Sequence, residues 1–297
     1  MSNTPKPHSV ADSMPSGLEP FAISENWVEA DGLQIRFLDA GTGPALILVH
    51  GLLGYSFNWR KVIPILATRR RIIVPDMAGS GFSECRPDLD FSLAGSAKRL
   101  LGFLDAVGIG CCDLVGSSYG GATGALAAAT APSRVRSLIL VAPANPWSRI
   151  GRKRVLLLQN PGVASLFPKV ARRLSPVHHY WVRRMWGDPQ KVSRETLDGY
   201  VRPLIRKGVF EHAVKIVRTW QTDMTKMQAA LRHVAGLPSL LIWGSRDRVV
   251  DINSAEPLAR ELGGARVAII EGAGHLPYEE CPEEFSRIVR EFLHGLV

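Results

Sequence analysis

The residues with the clearest chemical potential are Gly116-Ser117-Ser118-Tyr119-Gly120, which follow an apolar run and precede a stretch of small residues. This G-x-S-x-G pattern is typical of a tight strand-to-helix turn that exposes its central serine. Gly116 and Gly120 permit the turn, and Ser117 occupies the variable position. A serine hydroxyl is a weak nucleophile unless a neighbouring base, itself held by a third group, activates it. The pattern therefore predicts nucleophilic catalysis by Ser118 if the chain supplies that base.

Candidates for the base and for the group that orients it follow later in the chain. Asp247 comes just after the apolar run SLLIWG, and His275 lies in a glycine-flanked loop after VAIIEG. Ser118, Asp247 and His275 thus occur in the order nucleophile, acid, histidine. Asp251 is a rival for the acid, and Asp223 is a more remote one. Asp247 is preferred because it lies closer to the end of its strand.

The elements that must position these residues alternate along the chain. Short apolar or β-branched runs predict strands, and stretches with a period near 3.6 predict helices between them. The inner strands are apolar throughout, as in buried parallel strands. The sequence therefore predicts an α/β fold with a mostly parallel sheet flanked by helices. The predicted strands are LQIRFLDAG, ALILVHG, RIIVPDM, DLVGSS, VRSLILVAP, PSLLIWGSRD and ARVAIIEGAG.

Five motifs in the chain resemble those of the α/β-hydrolase fold family, namely LVHGLLG, PDMAGSGFS, GSSYGG, GSRDRVV and GAGHLPYEE. The resemblance covers nearly the whole chain. It implies that Ser118 is the nucleophile, His275 the general base and then acid, and Asp247 the group that holds the imidazole. It also implies an oxyanion hole formed by the backbone N–H groups of Leu52 and Tyr119.

Three further residues of these motifs are interpreted as supporting the site. His50 and Gly51 precede Leu52, and His50 is expected to shape that loop through hydrogen bonds. Asp76 follows a strand but precedes the nucleophile, so it is expected to bind loop backbone. Serine at position 118 argues against haloalkane dehalogenase and epoxide hydrolase chemistry, for which the resemblance implies an aspartate nucleophile. Carbon–carbon bond hydrolases and hydroxynitrile lyases of this family use the same triad and stay open.

Residues 146–235 interrupt the alternation with helical patterns only. So long a segment predicts an inserted helical subdomain, and the resemblance implies that it is a lid on a core of residues 23–145 and 236–297. The polar, proline-rich residues 1–22 predict a disordered leader. The predicted lid has 18 Lys and Arg against 5 Asp and Glu, whereas the whole chain has a net charge of +9.

The positive charge of the predicted lid leaves several partners open. They are an anionic membrane surface, an acidic carrier protein or coenzyme A thioester, and a small carboxylate substrate. Nucleic acid is not expected, because the sequence contains no nucleic-acid-binding module. No cofactor or metal is expected either, because no His, Asp or Glu cluster has ligand spacing.

The function predicted from these observations is that of a lipase-like serine hydrolase acting on a carboxylic ester with a hydrophobic acyl group. The alternatives are a carbon–carbon bond hydrolase with the same triad and a non-catalytic binding protein on this scaffold. The longest apolar stretches are too short to span a bilayer. Together with four cysteines that show no disulfide framework, this predicts a cytoplasmic protein, with peripheral membrane attachment left open.

Overall fold

A single sheet organises the chain in the computed structural model, which describes residues 22–150 and 152–296. The leader predicted over residues 1–22 thus lies outside the described residues apart from Ala22. In the described ranges the sheet has eight strands. They are β1 (Ser24–Ala30), β2 (Leu33–Ala40), β3 (Ala45–Val49), β4 (Arg71–Pro75), β5 (Cys112–Ser117), β6 (Val135–Val141), β7 (Ser239–Gly244) and β8 (Arg266–Ile270).

The strand order is β1-β2-β4-β3-β5-β6-β7-β8. From β4 to β8 all neighbouring strands are parallel, whereas β2 is antiparallel to both β1 and β4. The carboxyl ends of β5, β7 and β8 therefore meet at one edge of the sheet. That edge is where the chain continues into the residues predicted to be catalytic.

Helices cover both faces of the sheet in the described part of the chain. Their bounds are α1 (Ile63–Leu66), α2 (Leu93–Ala106), α3 (Tyr119–Thr130), α4 (Arg152–Gln159), α5 (Pro161–Ala171), α6 (Ser175–Met185), α7 (Arg194–Val201), α8 (Val209–Leu231), α9 (Ala255–Glu261), α10 (Pro277–Glu280) and α11 (Pro282–His294). Strand β3 shows why the inner strands lack alternation. Leu46 and Leu48 belong to one apolar cluster, and Ile47 and Val49 belong to the cluster on the other face.

The predicted fold class is confirmed, and all seven predicted strands correspond to observed ones. The sequence analysis missed β1, an edge strand that pairs only with β2. Its sequence, SENWVEA, is polar and mostly exposed, and only Ala30 is fully buried. A strand that buries so little carries almost none of the apolar signal from which the other strands were predicted.

The five helices from α4 to α8 occupy the chain between β6 and β7, where the described residues form no strand. Helix α8 packs on α2 and α3, and both α4 and α5 pack on α8. Helix α6 contacts α5 and α7. These helices thus form a layer outside the sheet, with α8 as its inner member. Its role as a lid over a substrate site remains a prediction.

Two further sequence-based expectations concern the whole chain. Among the helices of the described residues, none combines the length and the apolar character needed to cross a membrane. The four cysteines are all described and are free thiols, with Cys112 buried and Cys111 exposed.

Candidate active site

Ser118 occupies the turn between β5 and α3, in a backbone conformation that non-glycine residues rarely adopt. Its φ is 53° and its ψ is −119°. Such a conformation is strained and persists only where the surroundings hold it. Here the end of β6 and the loop after it supply the restraint. The Ser118 N–H donates to Val141 O at 2.9 Å, and the Ala144 N–H donates to Ser118 O at 2.9 Å.

The two glycines of the motif are required by close backbone contacts. A Cβ atom at Gly120 would overlap the carbonyl oxygen of His50. At Gly116 a Cβ would come within 2.5 Å of Gly120 O and 2.6 Å of Gly121 Cα. Gly120 is thus required by the loop after β3 and Gly116 by the first turn of α3, which explains why the pattern needs glycine on both sides of the serine.

The adjacent serines have different environments. Ser117 is completely buried, and its Oγ lies 3.1 Å from the Tyr278 hydroxyl. Ser118 is partly exposed at the carboxyl edge of the sheet. Of the two hydroxyl groups, only that of Ser118 is accessible to a substrate.

Asp247 and His275 form a buried hydrogen-bonded pair. The distance from His275 Nδ1 to Asp247 Oδ2 is 2.8 Å, and the two side chains are 4% and 0% exposed. The second carboxylate oxygen, Oδ1, accepts the N–H groups of Val249 at 2.7 Å and Val250 at 3.0 Å. Because the carboxylate accepts from Nδ1–H, the opposite ring nitrogen, Nε2, is left as the proton acceptor.

Ser118 and His275 lie at the same edge of the sheet without a direct hydrogen bond. Within the described residues no hydrogen bond joins Ser118 Oγ to the imidazole. Catalytic hydrogen bonds are commonly long in the absence of substrate and tighten when it binds. The structure thus brings Asp247 and His275 together and places the serine at their edge of the sheet.

The two alternative candidates for the acid, Asp251 and Asp223, lie in other surroundings. Asp251 Oδ1 accepts the backbone N–H of Asn253 at 3.1 Å and its side-chain amide at 3.0 Å. Asp223 is buried in α8, and its Oδ2 has no hydrogen-bond partner. Burial raises the pKa of Asp223 above its ordinary value. Neither acid is hydrogen-bonded to a histidine among the described residues.

The loop after β3 brings one predicted oxyanion donor, Leu52, close to the serine, and the other, Tyr119, follows Ser118 in the chain. A Cβ built on Gly51 would lie 3.0 Å from Ser118 Cβ and 3.6 Å from Ser118 Oγ. Leu52 follows directly. Among the hydrogen bonds of the described residues, none uses the backbone N–H of Leu52 or that of Tyr119. Two unpartnered N–H groups beside a nucleophile are the arrangement that stabilises an oxyanion.

His50 and Asp76 hold the neighbouring loops together. His50 Nδ1 lies 2.8 Å from Gly51 O, and Nε2 accepts the Met77 N–H at 3.0 Å. These partners fix a neutral ring with its proton on Nδ1, and burial lowers the pKa of His50. Asp76 accepts the Ser56 N–H at 2.8 Å and the Phe82 N–H at 2.9 Å. Both side chains thus bind backbone in loops beside the site.

Glu280 joins the histidine loop to the end of α6. Its Oε1 accepts the Gly274 N–H at 2.7 Å, and its Oε2 accepts the Gly187 N–H at 2.8 Å. The His275 N–H in turn donates to Met185 O at 2.7 Å. Burial raises the pKa of Glu280, and the backbone donors oppose that shift. The sequence analysis missed this contact; its one signal was the acid pair that ends the motif GAGHLPYEE.

A second buried carboxylate, Glu279, joins the core to α7. It pairs with the Arg60 guanidinium and accepts a hydrogen bond from the Tyr200 hydroxyl at 3.1 Å. Arg60 also donates to Thr196 Oγ1 at 2.9 Å. Burial raises the pKa of Glu279, and the positive charge of Arg60 opposes that shift. The helices α6 and α7 are therefore anchored to the core by polar contacts next to His275.

A small cavity lies beside the oxyanion loop, with a volume of about 20 Å³. It has room for about one water molecule and none for an acyl chain. Leu52, Met77 and Ile216 supply apolar walls, and Arg99 and His212 supply basic side chains. No cluster of three or more His, Cys, Asp or Glu side chains in the described ranges is arranged to hold a metal ion.

The buried His212 is expected to make the stability of the protein depend measurably on pH. Burial, assisted by the charge of Arg99, lowers the pKa of His212 to about 4, and its Nδ1 has no hydrogen-bond partner. Because the unfolded chain binds this proton near its ordinary pKa of 6.5, stability falls as the pH drops from there to about 4. The expected loss from this group is about 3 kcal/mol.

The difference in the free energy of unfolding between pH 7 and pH 4, measured with urea, should be smaller in His212→Gln than in the wild type by about 3 kcal/mol. His294→Gln, at an exposed position, is the matched control and should retain the wild-type dependence. If His212→Gln and wild type lose stability in parallel, His212 is not the group that titrates.

The comparisons with known proteins agree with the observed fold. A sequence model of the alpha/beta hydrolase fold matches residues 44–282. The chain belongs to the alpha/beta hydrolase fold family. Within this family, the 2-hydroxymuconate semialdehyde hydrolase of Pseudomonas sp. (strain CF600) is 29% identical over 275 residues, which cover 89% of this chain and 92% of that protein.

Two lipolytic members of the alpha/beta hydrolase fold family are also similar. The monoacylglycerol lipase abhd6-A of Xenopus laevis is 25% identical over 292 residues, or 91% of this chain and 85% of that protein. A bacterial membrane phospholipase A of known crystal structure superposes with a TM-score of 0.80 and 27% identity, over 92% of this chain and 86% of that one. The chain is thus a hydrolase of the α/β fold, and its relatives differ in the bond they cleave.

Proposed function

We propose that the protein is a serine hydrolase that cleaves a carboxylic ester through an acyl-enzyme. The observation that carries the proposal is the buried pair of His275 Nδ1 and Asp247 Oδ2, 2.8 Å apart, at the sheet edge that exposes Ser118. The unpartnered N–H groups of Leu52 and Tyr119 support it. The lipase and phospholipase among the relatives support an ester as the substrate.

The proposed reaction begins with attack of Ser118 Oγ on the ester carbonyl. His275 Nε2 takes the hydroxyl proton, and Asp247 stabilises the imidazolium. The N–H groups of Leu52 and Tyr119 donate to the oxyanion, each contributing about 3 kcal/mol to transition-state stabilisation. His275 then returns the proton to the departing alcohol. A water molecule, deprotonated by the same nitrogen, attacks the acyl-enzyme; the bond to Ser118 Oγ then breaks, the acid is released and His275 returns the proton to Ser118 Oγ.

A hydrophobic acyl group fits the surroundings of the oxyanion loop better than a polar one. Leu52, Met77 and Ile216 line the cavity beside it. Because the cavity holds only about one water molecule, binding an acyl chain requires helix α8 or the loops to move apart. We place this activity in the cytoplasm, a location supported by the four free cysteines.

Carbon–carbon bond cleavage is the second candidate. It is favoured by the 29% identity to the 2-hydroxymuconate semialdehyde hydrolase, which covers 92% of that protein. The same three side chains would serve both reactions, so the choice depends on the substrate pocket and not on the triad.

Hydrolysis of p-nitrophenyl esters from acetate to palmitate tests the proposal, with labelling of Ser118 by a fluorophosphonate run in parallel. Turnover together with labelling is the expected result. Labelling without turnover of any ester would overturn ester cleavage and favour the carbon–carbon bond hydrolase. Absence of both would indicate a non-catalytic binding protein on this scaffold.

A further inference from the structure

Helices α4, α5 and α6 carry large apolar side chains that are about half exposed to solvent. These residues, here called the outer face, are 41% to 60% exposed. The helices that carry them are consecutive and in contact: α4 packs on α5, and α5 packs on α6. The outer face consists of Leu156, Leu157, Leu166, Val170, Val177 and Tyr180.

In helix α5 the exposed apolar residues do not belong to the apolar side that packs against the protein. Its buried residues, Ala164, Pro168 and Ala171, follow helical spacing and therefore share one side of the helix. Leu166 and Val170 lie on the opposite side, since each residue advances the helix by about 100°. A solvent-facing side of a helix is ordinarily polar. Helix α5 is thus apolar on two sides, of which the protein covers one.

The charged residues of the same segment are all basic. From Arg149 to Arg184 the sequence has nine Lys and Arg residues and no Asp or Glu. Of these basic residues, Lys169, Arg173 and Arg183 are exposed within or beside α5 and α6. An apolar surface surrounded by cationic side chains is the pattern of a helix that lies in the interface of an anionic membrane.

A groove between α5 and α8 adjoins the outer face and has a volume of about 350 Å³. Three of its side chains are cationic and one is acidic. The groove is therefore large enough for a small charged group and favours a negative one. Lys169, Lys215, Arg218, Glu211, Pro168 and Val214 line it.

We propose that the outer face is a docking surface for an anionic lipid bilayer. Such a bilayer supplies at once the apolar phase for the leucines and the negative charge for the lysines and arginines. A second copy of the chain is disfavoured, because the contact would bring two sets of like charges together. An acidic protein would match the charge alone. Docking goes beyond ester cleavage, since it does not depend on Ser118.

The test is flotation of the protein with vesicles, in which Ser118→Ala protein prevents hydrolysis of the lipid. We expect binding to vesicles of phosphatidylcholine mixed with phosphatidylglycerol, weaker binding to phosphatidylcholine alone, and release by high salt. The triple variant Leu157→Ser, Leu166→Ser, Tyr180→Ser should lower binding about tenfold or more, because the apolar insertion is lost.

The matched control replaces exposed apolar residues elsewhere, at β1 and β8: Trp27→Ser, Val267→Ser, Ile269→Ser. It should bind as the parent does, and circular dichroism should show both triple variants folded. The proposal is overturned by failure to bind anionic vesicles or by equal losses in the two variants. It is also overturned if the parent is a dimer that the outer-face variant dissociates. These outcomes leave the ester assay unaffected, so failure of docking and failure of ester cleavage are separate results.

Discussion

Replacement of Ser118 by alanine is expected to abolish ester hydrolysis, with a fall in kcat of about 10⁶-fold. The hydroxyl is the only part of the residue that reacts, and alanine leaves the turn between β5 and α3 with the same backbone contacts to Val141 and Ala144. The melting temperature should therefore stay close to that of the wild type. Steady-state hydrolysis of a p-nitrophenyl ester, with a thermal melt on the same preparation, measures both quantities.

Ser117→Ala is the matched control for this prediction. The Ser117 hydroxyl is buried and hydrogen-bonded to the Tyr278 hydroxyl, so its loss should cost about 1 kcal/mol of stability. Its kcat should remain near the wild-type value. An inactive Ser117→Ala variant beside an active Ser118→Ala variant would show that the wrong serine has been assigned.

The second large effect is expected for Asp247→Asn, with a loss of about 10⁴-fold in kcat. The reason lies in the two N–H groups, those of Val249 and Val250, that donate to Oδ1. They hold the amide oxygen of the new asparagine at that position and turn its NH₂ group toward His275. A donor facing Nδ1 forces the imidazole proton onto Nε2, which can then no longer accept the proton of Ser118.

Asp251→Asn is the control for the acid, because Asp251 binds Asn253 instead of a histidine. It should change kcat by less than about threefold, as expected for a charge outside the triad. The measurement is kcat for both variants under the same conditions, with circular dichroism to show that each is folded. Equal losses in the two variants, or a larger loss in Asp251→Asn, would contradict the assignment of Asp247 as the orienting acid.

The sequence was sufficient to predict the fold because buried parallel strands are nearly uniform runs of apolar residues. Strands β3 and β7 are fully buried, and their sequences, ALILV and SLLIWG, are apolar almost throughout. Strand β1 lacked that signal. Its place is fixed by backbone pairing with β2 along its full length and not by the burial of its side chains.

The candidate triad was also open to prediction, since each member lies in the turn or loop that follows a strand. The contacts of Glu280 were not. They join its carboxylate to backbone N–H groups at Gly187 and Gly274, and every residue type except proline supplies such a group. A backbone N–H partner cannot be recognised from the residue types. The number of residues between Glu280 and that partner is determined only by the tertiary fold.

The outer face was hidden from sequence analysis for a related reason. Helix α5 presents apolar residues on two sides, and the pattern alone does not say which side the protein covers. The count of basic residues indicated an anionic partner. Only the burial of Ala164 and Pro168 shows that Leu166 and Val170 face outward.

The contacts of Met185 and Glu280 divide the layer of α4 to α8 into a fixed part and a movable part. The His275 N–H is bonded to Met185 O, and Glu280 links Gly187 to Gly274, so the end of α6 and the histidine loop form one rigid unit. If the whole layer moved away from the sheet to admit a substrate, it would move the His275 imidazole away from Ser118 in every catalytic cycle. For the proposed hydrolase, the opening that admits a substrate should therefore leave the end of α6 in place and come from other parts of the layer, such as α8.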